Sequence, residues 1–277
     1  MSYDTEIQEM IFKENTLAMR TEFSSKTEEF VSTDDAENFE KNKKNPQMLP
    51  KYLDTNNPIV YSFNSMGYRT KEFSSFRDNE FVLVMGCSYT EGIGLHEEDI
   101  WHSYIPKEFN LPIMNLGIGG CGPDTIKLNS IQYIKNNYPK PKMTIIQWPG
   151  EFRRYFFHRP NRIWCHVPGI SPDSNHAGEE IKYDSKWYHN RYLTYSAQQR
   201  HDNYLNILST KLLWEGQNIP YLGWAWKDDQ PNTYGHLKGF ISKKSHEKAR
   251  DMAHPAPNEQ YQCYQNILED IRKCLKN

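Results

Sequence analysis

Cysteine is scarce in this chain of 277 residues: five, at 87, 121, 165, 263 and 274, odd in number and never spaced as C-x-x-C. Such scatter argues against a disulfide framework or a zinc site, and the thiols are expected to be reduced, as in a cytosolic protein. Long apolar runs are missing too; none approaches the roughly 18 residues of a transmembrane helix. The stretch from Met1 to Ile7 lacks the basic lead and apolar core of a secretory signal, so a cytoplasmic setting without membrane attachment is expected. Lys and Arg number 33 against 35 Asp and Glu, a formal net charge of −2. No basic field exists to hold a nucleic-acid backbone, and no such partner is expected. His158, His166, His176 and His189 show no ligand spacing such as H-E-x-x-H. Neither a metal nor a cofactor is expected.

Rings are plentiful where aliphatic side chains are not. Hydrophobic residues make up 37% of the chain, yet Tyr, Phe and Trp reach 14%, so part of the core must be aromatic. The length suits one large domain or two small ones. Residues 1–55 are charged and rich in Asn and Lys. Ile7, Met10, Ile11 and Leu17 share roughly one helical face, and Thr33 to Asn45 reads as a loop or linker. This segment is expected to be a partly ordered extension without a chemical role. From Asn57 onward, alternation suggests a short edge strand turning over Asn64 to Gly67. Arg69 reads as a surface guanidinium in preference to one reaching a site.

Phe81 to Met85 is a run of five apolar residues that stops at Gly86, with Ser88 two positions on. Short, branched and bounded by glycine, it reads as a buried strand of a parallel sheet. Ligands of open α/β sheets sit outside the carboxyl ends of such strands, so Ser88 is either a nucleophile or a residue capping the turn. A crossover helix is expected from Ile100 to Phe109, a second strand from Pro112 to Gly117, and a helix from Pro123 to about Asn137. The turn Gly117 to Gly122 exposes backbone N–H groups near a positive helix end. No acidic residue stands about 20 positions further on and no G-K-[ST] follows. The turn therefore reads as an oxyanion-type donor loop or a plain tight turn. Met143 to Trp148 supplies a third strand, Gln198 to Gln217 a helix, and Ile219 to Trp226 a fourth strand. That is the rhythm of a doubly wound parallel sheet. Residues 150–197 form a long aromatic-rich insertion on the ligand side, a lid or substrate wall unless its rings simply make a small core of their own.

Near the C-terminus, Pro255 and Pro257 keep their preceding residues out of the helical basin, so Asp251 to His254 lies in a tight turn. Four residues can set a carboxylate against one imidazole nitrogen while the other faces a cleft. That is the orienter-and-base half of a nucleophilic triad. With Ser88 as nucleophile and the backbone N–H groups of Ser88 and Gly120 as oxyanion donors, the parts of an acyl-transfer site are present. The serine context G-C-S-Y-T is not the G-x-S-x-G elbow of α/β-hydrolases. A final helix carries Tyr264, Ile267, Leu268, Ile271 and Leu275 on one face.

Gly86 to Gly92 resembles the first block of the SGNH (GDSL) hydrolase family, Asn115 to Gly120 its glycine block, and Asp251 to His254 its D-x-x-H block. Phe63 to Arg69 resembles the N-S-x-G-[FY]-R stretch often found upstream of the serine strand. The resemblance runs from about residue 57 to 277, and implies a domain over residues 56–277. It also implies a flavodoxin-like three-layer α/β/α sandwich with a central parallel sheet, and hydrolysis of esters, often acetyl groups on sugars. Two departures stand out. Cys87 replaces the family's Asp, and the G-x-N-D block is absent, so the Asn oxyanion donor has no counterpart. Gln147, Arg153 and Arg154 are candidate replacements; Trp148, Phe152 and Arg154 are candidate substrate walls. The expected substrate is a small-molecule or carbohydrate ester. An O-acyltransferase using the same triad, a catalytically silent glycan-binding or structural protein, and Cys87 as the nucleophile are the alternatives.

Overall fold

The computed structural model describes residues 23–150, 153–157, 163–166, 196–226, 238–240 and 247–276. It opens with strand β1 (Thr27–Glu28), helix α1 (Ala36–Asn42) and strand β2 (Tyr61–Ser62). The strand expected after Asn57 is thus present, but it pairs antiparallel with β1 in a small sheet of its own. There follow β3 (Val82–Gly86), α2 (Ser88–Glu91), α3 (Tyr104–Phe109), β4 (Ile113–Gly117), α4 (Pro123–Lys135) and β5 (Met143–Trp148). A hairpin, β6 (Arg154–Phe157) and β7 (Ile163–His166), then precedes α5 (Ser196–Gly216), β8 (Tyr221–Trp226), β9 (Lys238–Phe240) and α6 (Pro257–Lys276). The helix expected from Ile100 begins only at Tyr104, after a 3₁₀ turn over Trp101–Ser103. Pro106 explains the delay: its ring would clash with a carbonyl four residues earlier, but is harmless in a first turn.

The five-stranded sheet runs β4-β3-β5-β8-β9, every pair parallel. Numbered within the sheet this is 2-1-3-4-5, the flavodoxin-like order of doubly wound folds. Side chains of β3 alternate between two cores. Val82 and Val84 pack with Ile105 of α3 and with Cys263, Ile267 and Ile271 of α6. Leu83 and Met85 pack on the other face with Ile126 and Tyr133 of α4 and with Ile207 and Trp214 of α5. Helices therefore cover both faces, giving the three-layer sandwich. Rings do much of the filling, as the composition requires: Trp101, Trp148, Trp214 and Trp224 are all fully buried.

Val31, Met48 and Tyr52 belong to the core on the α6 side. Residues from Phe23 onward, within the segment expected to be a partly ordered extension, pack onto the body of the domain. The chain leaves β3 toward β4 on one side and returns to β5 on the other. That reversal opens a crevice at the carboxyl ends of β3 and β5, and Ser88 is the second residue past β3.

Candidate active site

β3 runs into α2 through a turn that requires glycine. A Cβ on Gly86 would stand 2.2 Å from Thr90 Oγ1 and 2.9 Å from Gln147 Oε1. Ser88 is then the first residue of α2, 7% exposed, with its backbone N–H outside the helical ladder. The Gln147 amide lies beneath the turn. Its Oε1 accepts from the Cys87 N–H at 3.4 Å and from the Cys87 thiol and Thr90 hydroxyl at 3.2 and 3.3 Å. Its Nε2 donates to the Trp148 carbonyl at 3.0 Å. Gln147 therefore holds the serine turn from the core side, and its amide faces away from the position of an oxyanion donor.

A four-residue helix leaves most of its carbonyls without helical partners. Asn115 Nδ2 and His102 Nε2 both reach the Thr90 carbonyl, at 2.9 and 3.0 Å. Arg69 takes the next ones: Nη1 donates to the Glu91 and Gly92 carbonyls at 3.2 and 2.7 Å, and Nη2 to Leu95 at 3.0 Å. Arg69 is buried, with its guanidinium 4.4 Å from the Tyr61 ring centre. It is a helix clamp, and the expected surface guanidinium is corrected.

The turn brings Asp251 and His254 together, with His254 Nδ1 2.5 Å from Asp251 Oδ2. The other carboxylate oxygen accepts the backbone N–H groups of Ala253 and His254, both at 3.1 Å. Burial pushes the Asp251 carboxyl up. The hydrogen bond and charge of His254, the Thr33 hydroxyl and the Ala253 N–H outweigh it and hold the group below the usual carboxylate range. Residue Met252 adopts a left-handed backbone at φ 60°, which tightens the turn. The turn docks beside the serine helix. Arg250 N–H donates to the Gly94 carbonyl at 2.9 Å, and the Tyr89 ring meets the His254 ring edge-on at 5.4 Å between centroids. Among the described residues, no hydrogen bond joins Ser88 Oγ to His254 Nε2. In free enzymes such bonds are often long and close only around substrate.

The glycine turn lies alongside. Gly117, Gly119 and Gly122 have the G-x-G-x-x-G spacing of a dinucleotide loop, but the Gly119 N–H donates to the buried Glu91 carboxylate at 2.5 Å. A carboxylate at that position repels a phosphate, so the loop is unsuited to a nucleotide. Gly120 has a left-handed φ of 75°, and its N–H has no partner among the described residues. Arg153 closes the group. Its carbonyl lies against Gly122, where a Cβ would approach to 2.3 Å, and its guanidinium is near the Cys87 side chain. Its Nη1 is buried without a hydrogen-bond partner.

The sequence candidates thus separate. Ser88, Asp251, His254, Gly120 and Arg153 gather at the carboxyl end of β3. Trp148 is fully buried in the core beneath, so it is no substrate wall. Arg154 lies in β6, and Phe152 falls outside the described residues, as does most of the 150–197 insertion. Among the described residues no cluster of His, Cys, Asp and Glu could hold a metal, and no helix is long and apolar enough to cross a membrane. Thr33 reads from the sequence only as the start of a loop or linker. Its partner lies 218 residues away, and no local pattern marks it.

The fold resembles several solved structures. One is TesA, 14% identical with a TM-score of 0.44, the match spanning 70% of this chain and 99% of that one. Another is a carbohydrate esterase whose active site has divergent catalytic and non-catalytic binding functions, 11% identical with a TM-score of 0.40, over 70% and 65% of the two chains. A third is a lipolytic protein of the G-D-S-L family from Desulfitobacterium hafniense DCB-2, 14% identical with a TM-score of 0.30, over 68% and 97%. No family model and no curated protein matches the chain. At these similarities the fold assignment rests on strand order and layering.

Proposed function

We propose that the protein is a serine esterase of the SGNH type. The single observation that carries this reading is the 2.5 Å Asp251–His254 pair docked beside Ser88 at the sheet's switch point. In this reading Ser88 Oγ attacks the ester carbonyl while His254 Nε2 takes its proton. Asp251 holds the Nδ1 tautomer and stabilises the imidazolium. The backbone N–H groups of Ser88 and Gly120 receive the oxyanion, one such donor being worth about 3 kcal/mol. Collapse returns the proton to the leaving alcohol and leaves an acyl-serine, which water attacks with His254 again as base. Arg153 is the candidate for the third donor, since Gln147 faces the core. The proposed substrate is a short acyl ester, such as an acetyl group on a carbohydrate. A sugar hydroxyl in place of water would make the protein an O-acyltransferase.

Ser88→Ala is expected to lower turnover of an activated acetate ester by roughly a millionfold. His254→Ala should lose nearly as much, and Asp251→Ala somewhat less. Acetylated sugars and plain acyl esters, assayed side by side, identify the leaving group. Wild-type turnover no higher than the uncatalysed background, and so equal to that of Ser88→Ala, would leave the second reading, a silent SGNH-fold binding protein. That reading is favoured by the missing Asn donor.

A further inference from the structure

The carboxylate oxygen of Asp251 that meets His254 accepts a second hydrogen bond. Thr33 Oγ1 donates to Asp251 Oδ2 at 2.6 Å, across 218 residues of sequence. Thr33 sits at the tip of a tight turn closed by reciprocal bonds between Val31 and Asp34, of 2.8 and 3.0 Å. Ser32 in that turn has a left-handed φ of 56°, a conformation non-glycine residues rarely adopt and one that a surrounding structure must hold in place. The surroundings do so. Arg250, next to Asp251, grips Asp34 with Nε at 2.9 Å from Oδ1 and Nη2 at 2.8 Å from Oδ2, both side chains 1% exposed. Arg250 Nη2 also donates to the Glu29 carbonyl, and its guanidinium stacks on Phe30 at 4.5 Å. Asp34 in turn accepts from the Tyr61 hydroxyl, which receives the Gly94 N–H at 2.8 Å. The N-terminal turn is therefore bolted to the Asp251–His254 turn through the neighbouring residue, and presents one hydroxyl to the carboxylate.

We propose that Thr33 is a positioning residue, which acts through Asp251 to fix the imidazole of His254 for catalysis. This rests on the triad reading above. A carboxylate oxygen that accepts two donors is held in both rotation and plane, so His254 Nε2 is aimed by a residue from the opposite end of the chain. Thr33 itself is exposed apart from its hydroxyl contact, so replacing it removes the donor without opening a core cavity. A purely structural role predicts loss of stability. A positioning role predicts loss of rate.

The test uses the full chain with Thr33→Val, which removes the donor at nearly constant shape, and Thr33→Ser, which keeps it. On an activated acetate ester, Thr33→Val is expected to lose about tenfold in kcat, as suits a hydrogen bond to a charged group, with KM within twofold of wild type. Thr33→Ser should stay within twofold in both constants. The His254 Nδ1 proton, followed by NMR, supplies a readout that needs no turnover: it should shift in Thr33→Val and hold its place in Thr33→Ser. Wild-type kcat and an unmoved Nδ1 proton in Thr33→Val would overturn the proposal, as would equal losses in both variants. If Ser88→Ala shows that the wild type is no serine esterase, the triad reading fails separately. An unmoved Nδ1 proton then overturns the role of Thr33 as well, while a shifted one upholds its hold on His254.

Discussion

His102 packs behind the serine helix with Nε2 3.0 Å from the Thr90 carbonyl. Burial pushes its pKa down to about 4, against the pull of that bond, so at neutral pH the ring is uncharged and Nε2–H donates. An unfolded histidine titrates near 6.5, so the unfolded chain takes up this proton first as the pH falls. Stability from His102 is complete above pH 6.5 and is lost between 6.5 and 4, about 3 kcal/mol in all. Urea unfolding at pH 7.5 and 4.5 should show this loss in wild type and a much smaller one in His102→Asn. Equal losses would contradict the assignment. Residues differ in how plainly the sequence shows them. Ser88, Asp251 and His254 stand in short patterns whose spacing already implies geometry. Arg69 reads as a surface residue in the sequence because the carbonyls it clamps, at Glu91, Gly92 and Leu95, become acceptors only once α2 stops after one turn.

Among elements, the β4 end and the serine helix are fitted to each other at backbone distance. A Cβ on Gly117 would lie 2.5 Å from the Glu91 amide nitrogen and 2.8 Å from the Thr90 carbonyl carbon. Neither atom can yield without moving α2, and with it Ser88. Gly117→Ala is expected to cost about 1–3 kcal/mol and to depress ester turnover. Gly216→Ala, where nothing lies within 4 Å, should leave activity at the wild-type level. Loss of activity in both, or in neither, would refute this fit; denaturant melts and initial rates decide it. β3, β4, β5 and β8 were legible because a strand covered by helices on both faces is predominantly apolar, interrupted in β4 only by Asn115 and in β5 by Thr144 and Gln147. β1 and β9, at two and three residues, carry too little pattern to be seen, and Pro106 shortens α3 for a reason that operates only in three dimensions.

Across the whole molecule, the Val31–Asp34 turn and the Asp251–His254 turn close on each other through a buried ion pair, Asp34 with Arg250. Asp34→Ala leaves a buried guanidinium without its partner and should cost about 3–5 kcal/mol in a urea melt. Glu80→Ala breaks the exposed Glu80–Lys142 pair at 2.7 Å and should cost less than about 1 kcal/mol. Similar costs for both would contradict the structural role given to the N-terminal segment. The sequence hid that role because the charged composition of Thr33 to Asn45 reads as a loop or linker, although Ala36–Asn42 is helical; what it cannot show is where an Asp finds its Arg 216 residues later. The doubly wound parallel sheet, by contrast, followed from strands and helices alternating at short spacing, while its flavodoxin-like form was implied only by the family resemblance.

The proposed role of Ser88 is that of a nucleophile activated by His254 and Asp251. Its most direct measurement is peptide mapping by mass spectrometry after treatment with a fluorophosphonate. One adduct per chain is expected, on Ser88, absent from Ser88→Ala and formed far more slowly in His254→Ala. Failure of the wild type to label, or an adduct at Cys87 or elsewhere with Ser88 untouched, would contradict it.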